Sequence, residues 1–298
     1  MATDPPHHHG HVHLDEADWE DLAADTEREG ELFLAFVTDT MGWVSRLRGP
    51  GAPPVRRVLD IGSGPGVGTG ELARVFPDAQ VVAVDSSPAM LDRARERAAR
   101  GEPDGRIQFH LAELPGGLDG VEPVEVIWAS MSLHHVGDEV AALRVLHDVL
   151  APSGLIAIAE LAEPMRVLPD DLDLGRPGLA DRLERAMGDW FASMRDGLEG
   201  TAPSADLETM LTAAGLHSVG ARFIRERLDA PLSPEARRVA LGHVRRTRHQ
   251  LGDRLDAEDL ATLDVLSDPD DPRGVMHRPD ARLVSSRQIH IARRMPPL

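Results

Sequence analysis

A glycine-rich turn between an apolar run and a helical pattern constrains this chain more than any other feature. The apolar run at 55–61 leads into the letters DIGSGPG at 60–66, and a helical pattern follows from 67 to 76. Glycine has no Cβ, so such a turn lets the backbone bend sharply and approach a ligand closely. The order of strand, turn and helix predicts the first unit of a nucleotide-binding α/β sheet.

The spacing of the glycines favours one class of ligand over another. A dinucleotide fingerprint, G-x-G-x-x-G, that begins at Gly62 would place its third glycine where the chain has Val67. Asp85 ends a second apolar run about 20 residues beyond the turn, where βαβ units place a carboxylate that accepts ribose hydroxyls. Asp85 can equally cap the next helix, whose start signals lie at 86–88. Both roles stay open, because one strand end can serve them together.

The glycines alternate with other residues, and an acid stands two positions ahead of the first. This pattern, Asp60-x-Gly62-x-Gly64-x-Gly66, resembles motif I of the class I S-adenosylmethionine (SAM)-dependent methyltransferases. The resemblance implies that SAM is the cofactor, that the turn accepts its amino-acid end, and that Asp60 helps to hold its ammonium. The cofactor-binding residues expected in this chain are Asp60, Gly62, Ser63, Gly64, Gly66, Asp85, Ser86, Met90, Ala112, Glu113 and Ser130.

Two later passages extend the resemblance. The letters SMSLHHV at 130–136 follow a predicted strand and resemble motif IV of methyltransferases of the ubiquinone and menaquinone biosynthesis type. The letters LHDVLAPSGL at 146–155 resemble the helix-to-strand passage of the same superfamily. The resemblance also implies that Ala112 and Glu113 lie beside the adenine amino group, with a surface turn as the alternative.

The candidate catalytic residues are two adjacent histidines. His134 and His135 follow the strand at 124–130, and ligands of open α/β sheets bind outside the carboxyl ends of the strands. The chain has no Cys, Lys or Tyr, which leaves His, Asp and Glu as general bases. We expect one histidine to face the acceptor and the other to brace the loop, with His135 favoured as the facing residue. The alternative is that both are structural and that transfer needs only proximity and alignment.

The expected fold class is α/β. The resemblance implies a Rossmann-like, seven-stranded, mostly parallel sheet in the order 3-2-1-4-5-7-6, with helices on both faces and strand seven antiparallel. We expect a disordered His-rich tail at 1–14, a helical cover at 15–48, and a SAM-binding domain at 55–298. Helical insertions at about 165–200 and 233–268 are expected to form a cap with the N-terminal helices.

Two segments allow more than one interpretation. An apolar stripe with i, i+4 spacing runs through 179–198; core packing is the default, and a position over the substrate is the alternative. The N-terminal helices, with Trp19 among their residues, are lid candidates by the same resemblance. The histidines at 7–13 have side chains that bind metals, but a flexible tail is the favoured interpretation, and we predict no metal site.

Composition excludes several functions. With no cysteine, the chain has no disulfide, no thiolate nucleophile and no cysteine metal site, which fits a reducing cytoplasm. A net charge of −18 argues against nucleic acid and anionic membranes as partners. No apolar run approaches the ~20 residues that a membrane span needs. Homodimerisation is left open.

These observations predict a cytoplasmic enzyme that transfers the methyl group of SAM to an O, N or C nucleophile of a small-molecule acceptor. A SAM-binding accessory or regulatory protein without methyl transfer is the main alternative. A nicotinamide-dependent oxidoreductase is disfavoured because Val67 replaces the third glycine of the dinucleotide fingerprint.

Overall fold

A computed structural model describes residues 16–101, 105–169, 172–198 and 206–294. The His-rich segment at 7–13 lies outside these residues. The strands are β1 (Arg57–Ile61), β2 (Gln80–Asp85), β3 (Ile107–Leu111), β4 (Val124–Ser130), β5 (Leu150–Arg166), β6 (Leu216–Leu228) and β7 (Leu283–Arg294). The helices are α1 (Glu16–Leu32), α2 (Ala35–Arg48), α3 (Val67–Val75), α4 (Pro88–Gly101), α5 (Glu139–Val149), α6 (Leu179–Asp196), α7 (Leu207–Ala213), α8 (Pro234–Gln250) and α9 (Ala257–Ser267).

The seven strands form one sheet in the order β3-β2-β1-β4-β5-β7-β6, which confirms the predicted order. Strands β1 to β5 run parallel to one another, and β7 pairs antiparallel with both β5 and β6. Parallel neighbours need crossover connections, and α3, α4 and α5 supply them. The carboxyl ends of β1, β2, β4 and β5 therefore meet at one edge.

The central strands are buried on both faces, as continuous apolar runs predict for parallel sheets. Val58 and Val126 face a core formed with α2, α3, α8 and α9. Leu59 and Ile127 face the opposite core, formed with α5 and α7. Successive side chains of a strand point to opposite faces, so two adjacent apolar residues serve two cores.

The inserted helix α8 packs against α9 and against α1. An ion pair of 2.6 Å joins Arg246 of α8 to Glu29 of α1. At Gly242, α8 approaches Asp25 of α1 so closely that a Cβ would overlap its carboxylate. These elements lie within the predicted cover and the predicted second insertion, and the division into a cap and a SAM domain stays a prediction.

Helix α6 is mostly outside the core, because just two of its 18 residues, Leu179 and Ala186, are buried. Most side chains of its apolar stripe therefore lie outside the buried core, and the default expectation of core packing is wrong for them. Salt bridges hold its first half: Arg182 pairs with the buried Asp259 of α9 at 2.7 Å, and Glu184 pairs with Arg166 at 2.7 Å. No helix within the described ranges is long and apolar enough to cross a membrane.

Candidate active site

A cavity of about 1610 Å³ opens at the carboxyl ends of β1, β2, β4 and β5. Its walls come from the glycine turn after β1, from the segment after β4, and from α1, α2, α6 and α8. The predicted residues that line it are Asp60, Gly62, Ser63, Gly64, Asp85, Ser86, Met90, Ala112, Glu113, Ser130, His134 and His135. The sheet topology thus brings residues from four separate stretches of sequence to one space.

Gly66 is the exception, since it does not line the cavity. Its φ is +81°, and a Cβ there would lie 2.8 Å from the Cβ of Ala94 in α4. The missing side chain of Gly66 allows α4 to pack on the turn, and contact of its backbone with the cofactor stays a prediction. Gly64 has a φ of +52°, and nothing lies within 4 Å of a Cβ built there, so this glycine leaves open space beside the cavity.

The carboxylate of Asp85 fixes the glycine turn. Its Oδ2 accepts the backbone N–H of Gly64 at 2.8 Å, and its Oδ1 accepts the N–H of Ser87 at 2.9 Å. The Ser63 N–H donates to the carbonyl of Val84 at 3.0 Å. Asp85 therefore combines the local role expected of a residue before α4 with a place in the cavity wall.

Asp60 is a buried carboxylate in the cavity wall. Its Oδ2 accepts a hydrogen bond of 2.6 Å from the Thr69 hydroxyl. Burial raises the pKa of Asp60 to about 7, and the negative charge of Asp85 acts in the same direction. A cation placed beside Asp60 would favour its ionised form.

Two hydroxyl groups beside the glycine turn are suited to a polar ligand. Within the described parts of the chain, the Oγ atoms of Ser63 and Ser132 are buried and have no protein hydrogen-bond partner. Buried polar groups normally have partners, so a pair of unsatisfied donors in a cavity wall indicates a ligand or water position. The carboxylate of Asp60 lines the same cavity and suits an ammonium, whereas the two hydroxyls can donate to a carboxylate. The wall therefore offers groups for both charges of an amino-acid zwitterion. The residues present therefore fit SAM.

The two histidines lie on a single 3₁₀ turn, Leu133–His135, directly after β4. Glu160 of β5 accepts the Leu133 N–H at 2.9 Å, and its other oxygen lies 2.6 Å from Nδ1 of His134. The ring centroids of His134 and His135 are 4.1 Å apart, and both rings line the cavity. A carboxylate at Nδ1 orients the imidazole and leaves Nε2 for other contacts.

Arg195, in the last turn of α6, binds the same 3₁₀ turn from the other side. Its Nη1 donates to the carbonyls of His134 at 3.1 Å and Val136 at 2.9 Å, and its Nη2 lies 2.8 Å from Glu139. Sequence reasoning missed this arginine, because the contact joins segments about 60 residues apart and no local pattern marks it. The missed Ser132 could have been found, since it lies inside the motif at 130–136.

Most of the apolar stripe lines the cavity. Its lining residues are Leu183, Met187, Trp190, Phe191 and Met194 of α6 and Leu198 just beyond the helix. The stripe therefore faces the cavity more than the core, and its position over a substrate stays a prediction. Trp19 of α1 also lines the cavity.

Comparisons with known proteins agree with this geometry. A family model described as a methyltransferase domain matches residues 58–154. A trans-aconitate 2-methyltransferase of Methylobacterium radiotolerans is 34% identical over 200 residues, which cover 61% of this chain and 73% of that protein. The chain belongs to the class I SAM-dependent methyltransferases. The predicted family, enzyme class and cofactor are thereby confirmed.

Other relatives match over shorter stretches. A trans-aconitate 2-methyltransferase of Variovorax paradoxus is 37% identical over 139 residues, covering 44% of this chain and 51% of that protein. The chain thus spans about half the length of this second relative. The solved structure of an O-methyltransferase family protein from Burkholderia thailandensis has a TM-score of 0.50 and 18% identity, covering 70% of this chain and 57% of that one. That likeness concerns the fold, and it agrees with the confirmed α/β class.

The glycine turn generates a paired prediction. Gly64→Ala and Gly66→Ala each place a Cβ on a left-handed backbone, which costs about 1–2 kcal/mol. Gly66→Ala adds an overlap with Ala94, so its melting temperature should fall further than that of Gly64→Ala. Gly64→Ala should instead weaken SAM binding, measured by calorimetry, because its methyl group enters the open space beside the cavity. Equal melting temperatures and equal SAM affinities for the two variants would contradict this division of roles.

The raised pKa of Asp60 generates a pH prediction. The ammonium of SAM favours ionised Asp60, so SAM affinity should rise with pH up to about 7 and then level off. One linked proton gives a slope of at most about tenfold per pH unit. Calorimetric titrations between pH 5.5 and 8 measure the slope, and Asp60→Asn should bind more weakly and lose it. A slope that persists in Asp60→Asn assigns the linked proton elsewhere.

In the unliganded protein, the raised pKa of Asp60 should make folding stability fall as pH rises, which is opposite to the expected trend in SAM affinity. Because its pKa is higher in the folded state, neutral Asp60 stabilises the fold below its unfolded pKa, and that contribution is lost as pH rises through about 7. Removal of the charge in Asp60→Asn should therefore flatten the decline in melting temperature between pH 5 and 7.

Proposed function

We propose that this protein transfers the methyl group of SAM to a small-molecule acceptor held beneath α6, and that His134 accepts a proton from the acceptor. The observation that carries the proposal is the 2.6 Å contact between Nδ1 of His134 and Glu160, in a cavity that also contains the glycine turn. The absence of cysteine and the charge of −18 support a cytoplasmic location and an acceptor other than nucleic acid.

Residues of the glycine turn would hold the cofactor. Asp60 and the hydroxyls of Ser63 and Ser132 suit its charged amino-acid end, and Asp85 suits its ribose. Ala112 and Glu113 line the cavity where the family resemblance places the adenine. When bound, SAM supplies an electrophilic methyl group on a sulfonium.

His134 and Glu160 prepare the acceptor for attack. With the Nδ1–H of His134 donating to Glu160, Nε2 is the acceptor nitrogen and can take a proton from a hydroxyl or amine. Arg195 donates a hydrogen bond to the backbone carbonyl of His134, and α6 lines the cavity with apolar side chains. His135 shares the cavity and remains the second candidate base, the one that the sequence favoured.

Single substitutions distinguish the two histidines. His134→Ala should lower turnover by about 10²–10⁴, because a general base acts on the chemical step. Glu160→Gln should lower turnover by a smaller factor. Both variants should bind SAM with near-normal affinity. His135→Ala should retain most of the activity. Turnover is measured with methyl-labelled SAM and a fractionated metabolite extract. If His135→Ala alone abolishes turnover, the roles are reversed; if neither does, transfer needs only proximity.

Failure of SAM binding in the unmodified chain would remove the whole proposal. Binding of SAM and S-adenosylhomocysteine without any methyl transfer to the extract would favour the accessory or regulatory protein. Thermal shift with both ligands, followed by the turnover assay, separates these outcomes.

Loss of Arg195 should impair acceptor binding and turnover and leave SAM binding nearly unchanged. Arg195→Gln removes charge-assisted hydrogen bonds, each typically about 1.5–3 kcal/mol, from the backbone of the histidine turn. We expect a higher KM for the acceptor and a lower kcat, with SAM affinity within about twofold of the original. Arg185→Gln, an exposed position on the same helix, is the matched control. Identical kinetics for the two variants would contradict the positioning role of Arg195.

A further inference from the structure

The acceptor side of the cavity is apolar. The α6 stripe supplies Met187, Trp190, Phe191 and Met194, and the end of β5 with the segment after it adds further apolar side chains. These further lining residues are Met165, Val167, Leu168 and Leu172. Phe191 is 40% exposed, although it contacts the ring of His134 at a centroid distance of 5.8 Å. An exposed aromatic ring beside the candidate base is suited to covering an apolar ligand.

The arginines of the cavity are already paired with carboxylates of the chain. Arg166 lies 2.7 Å from Glu184, and Arg246 lies 2.6 Å from Glu29. Arg287 is buried, lies 2.6 Å from Glu226, and packs over the ring of Phe36 with its Cζ 4.3 Å from the ring centroid. Each of these cations is therefore neutralised within the protein. Burial lowers the pKa of His243, another residue of this wall, to about 4, so its ring is neutral.

Carboxylates are also present in the wall beyond those expected around SAM. Setting aside Asp60, Asp85 and Glu113, the remaining acidic lining residues are Glu29, Asp138, Glu163 and Glu184. An acceptor with several carboxylates would approach these groups. If it displaced Glu226 from the buried Arg287, it would also break a pair whose loss leaves an uncompensated buried charge.

We infer that the acceptor is a neutral, predominantly apolar small molecule with a hydroxyl nucleophile, rather than a polycarboxylate. This inference rests on the proposed function and narrows it. A carboxylate acceptor is already deprotonated at neutral pH and needs no base, whereas a hydroxyl gains from the His134–Glu160 pair. The tricarboxylate named for the relatives, trans-aconitate, would meet lining arginines that already pair with chain carboxylates.

The implied reaction balances without a further reactant. The hydroxyl proton moves to Nε2 of His134, and the oxygen forms a bond to the methyl carbon. The bond between that carbon and the sulfonium sulfur breaks, and its electron pair stays on sulfur. The products are a methyl ether, S-adenosylhomocysteine and a proton released later from His134.

The test uses the full chain saturated with S-adenosylhomocysteine and the neutral fluorescent probe N-phenyl-1-naphthylamine. The probe should bind, and neither trans-aconitate nor citrate should displace it. Met187→Glu places a charge on the cavity face of α6 and should weaken probe binding by about tenfold or more, because a charge opposes transfer of an apolar ligand. Ala192→Glu adds the same charge at an exposed position of the same helix and should change binding by less than about twofold. Met194→Glu replaces Met187→Glu if circular dichroism indicates that the latter is unfolded.

Activity supplies the second arm. Methyl-labelled SAM is incubated with 2-naphthol or with trans-aconitate, and each product is extracted and counted. Label in the naphthyl methyl ether supports the inference. Displacement of the probe by trans-aconitate, label in trans-aconitate, absence of probe binding, or equal effects of Met187→Glu and Ala192→Glu would overturn it. Calorimetry with S-adenosylhomocysteine on every variant separates these failures from failure of the proposed function.

Discussion

The site depends on close approach at two glycines. A side chain at Gly62 would overlap Ser132, and one at Gly66 would overlap Ala94. The glycine turn can therefore contact both the segment after β4 and helix α4 without a gap. The first carries the histidines, and the second begins at the residues after Asp85. The missing side chains therefore bring the predicted cofactor-binding residues and the candidate catalytic histidines into one cavity. The absence of a Cβ at Gly62 and Gly66 determines how closely these two segments approach the turn.

Sequence patterns predicted the elements that repeat local rules. The apolar run at 124–130 coincides with β4. The strand order followed from the family resemblance rather than from any pattern in this chain. Most of the predicted cofactor residues line the cavity, yet their individual contacts with SAM stay predictions.

The failures have a common physical cause. Helical periodicity identifies which residues of α6 share a face, but it carries no information on whether that face meets a core or a cavity. The spacing of glycines likewise cannot tell a glycine that faces a ligand from Gly66, which faces a helix. Arg195 could not be assigned because an arginine near a helix C-terminus is equally well explained by solvation. In all three cases the answer depends on which residues, distant in sequence, pack against the segment, and local patterns do not carry that information.

The guanidinium of Arg195 joins α6 to the histidine turn. One group holds both the end of α6 and the backbone of His134, so any opening of α6 that separates them also releases the turn from its hydrogen bonds. The ring of His134 would keep its contact with Glu160 in that case, so the two ends of this residue are held by different parts of the chain: the side chain by β5 and the backbone carbonyl by α6.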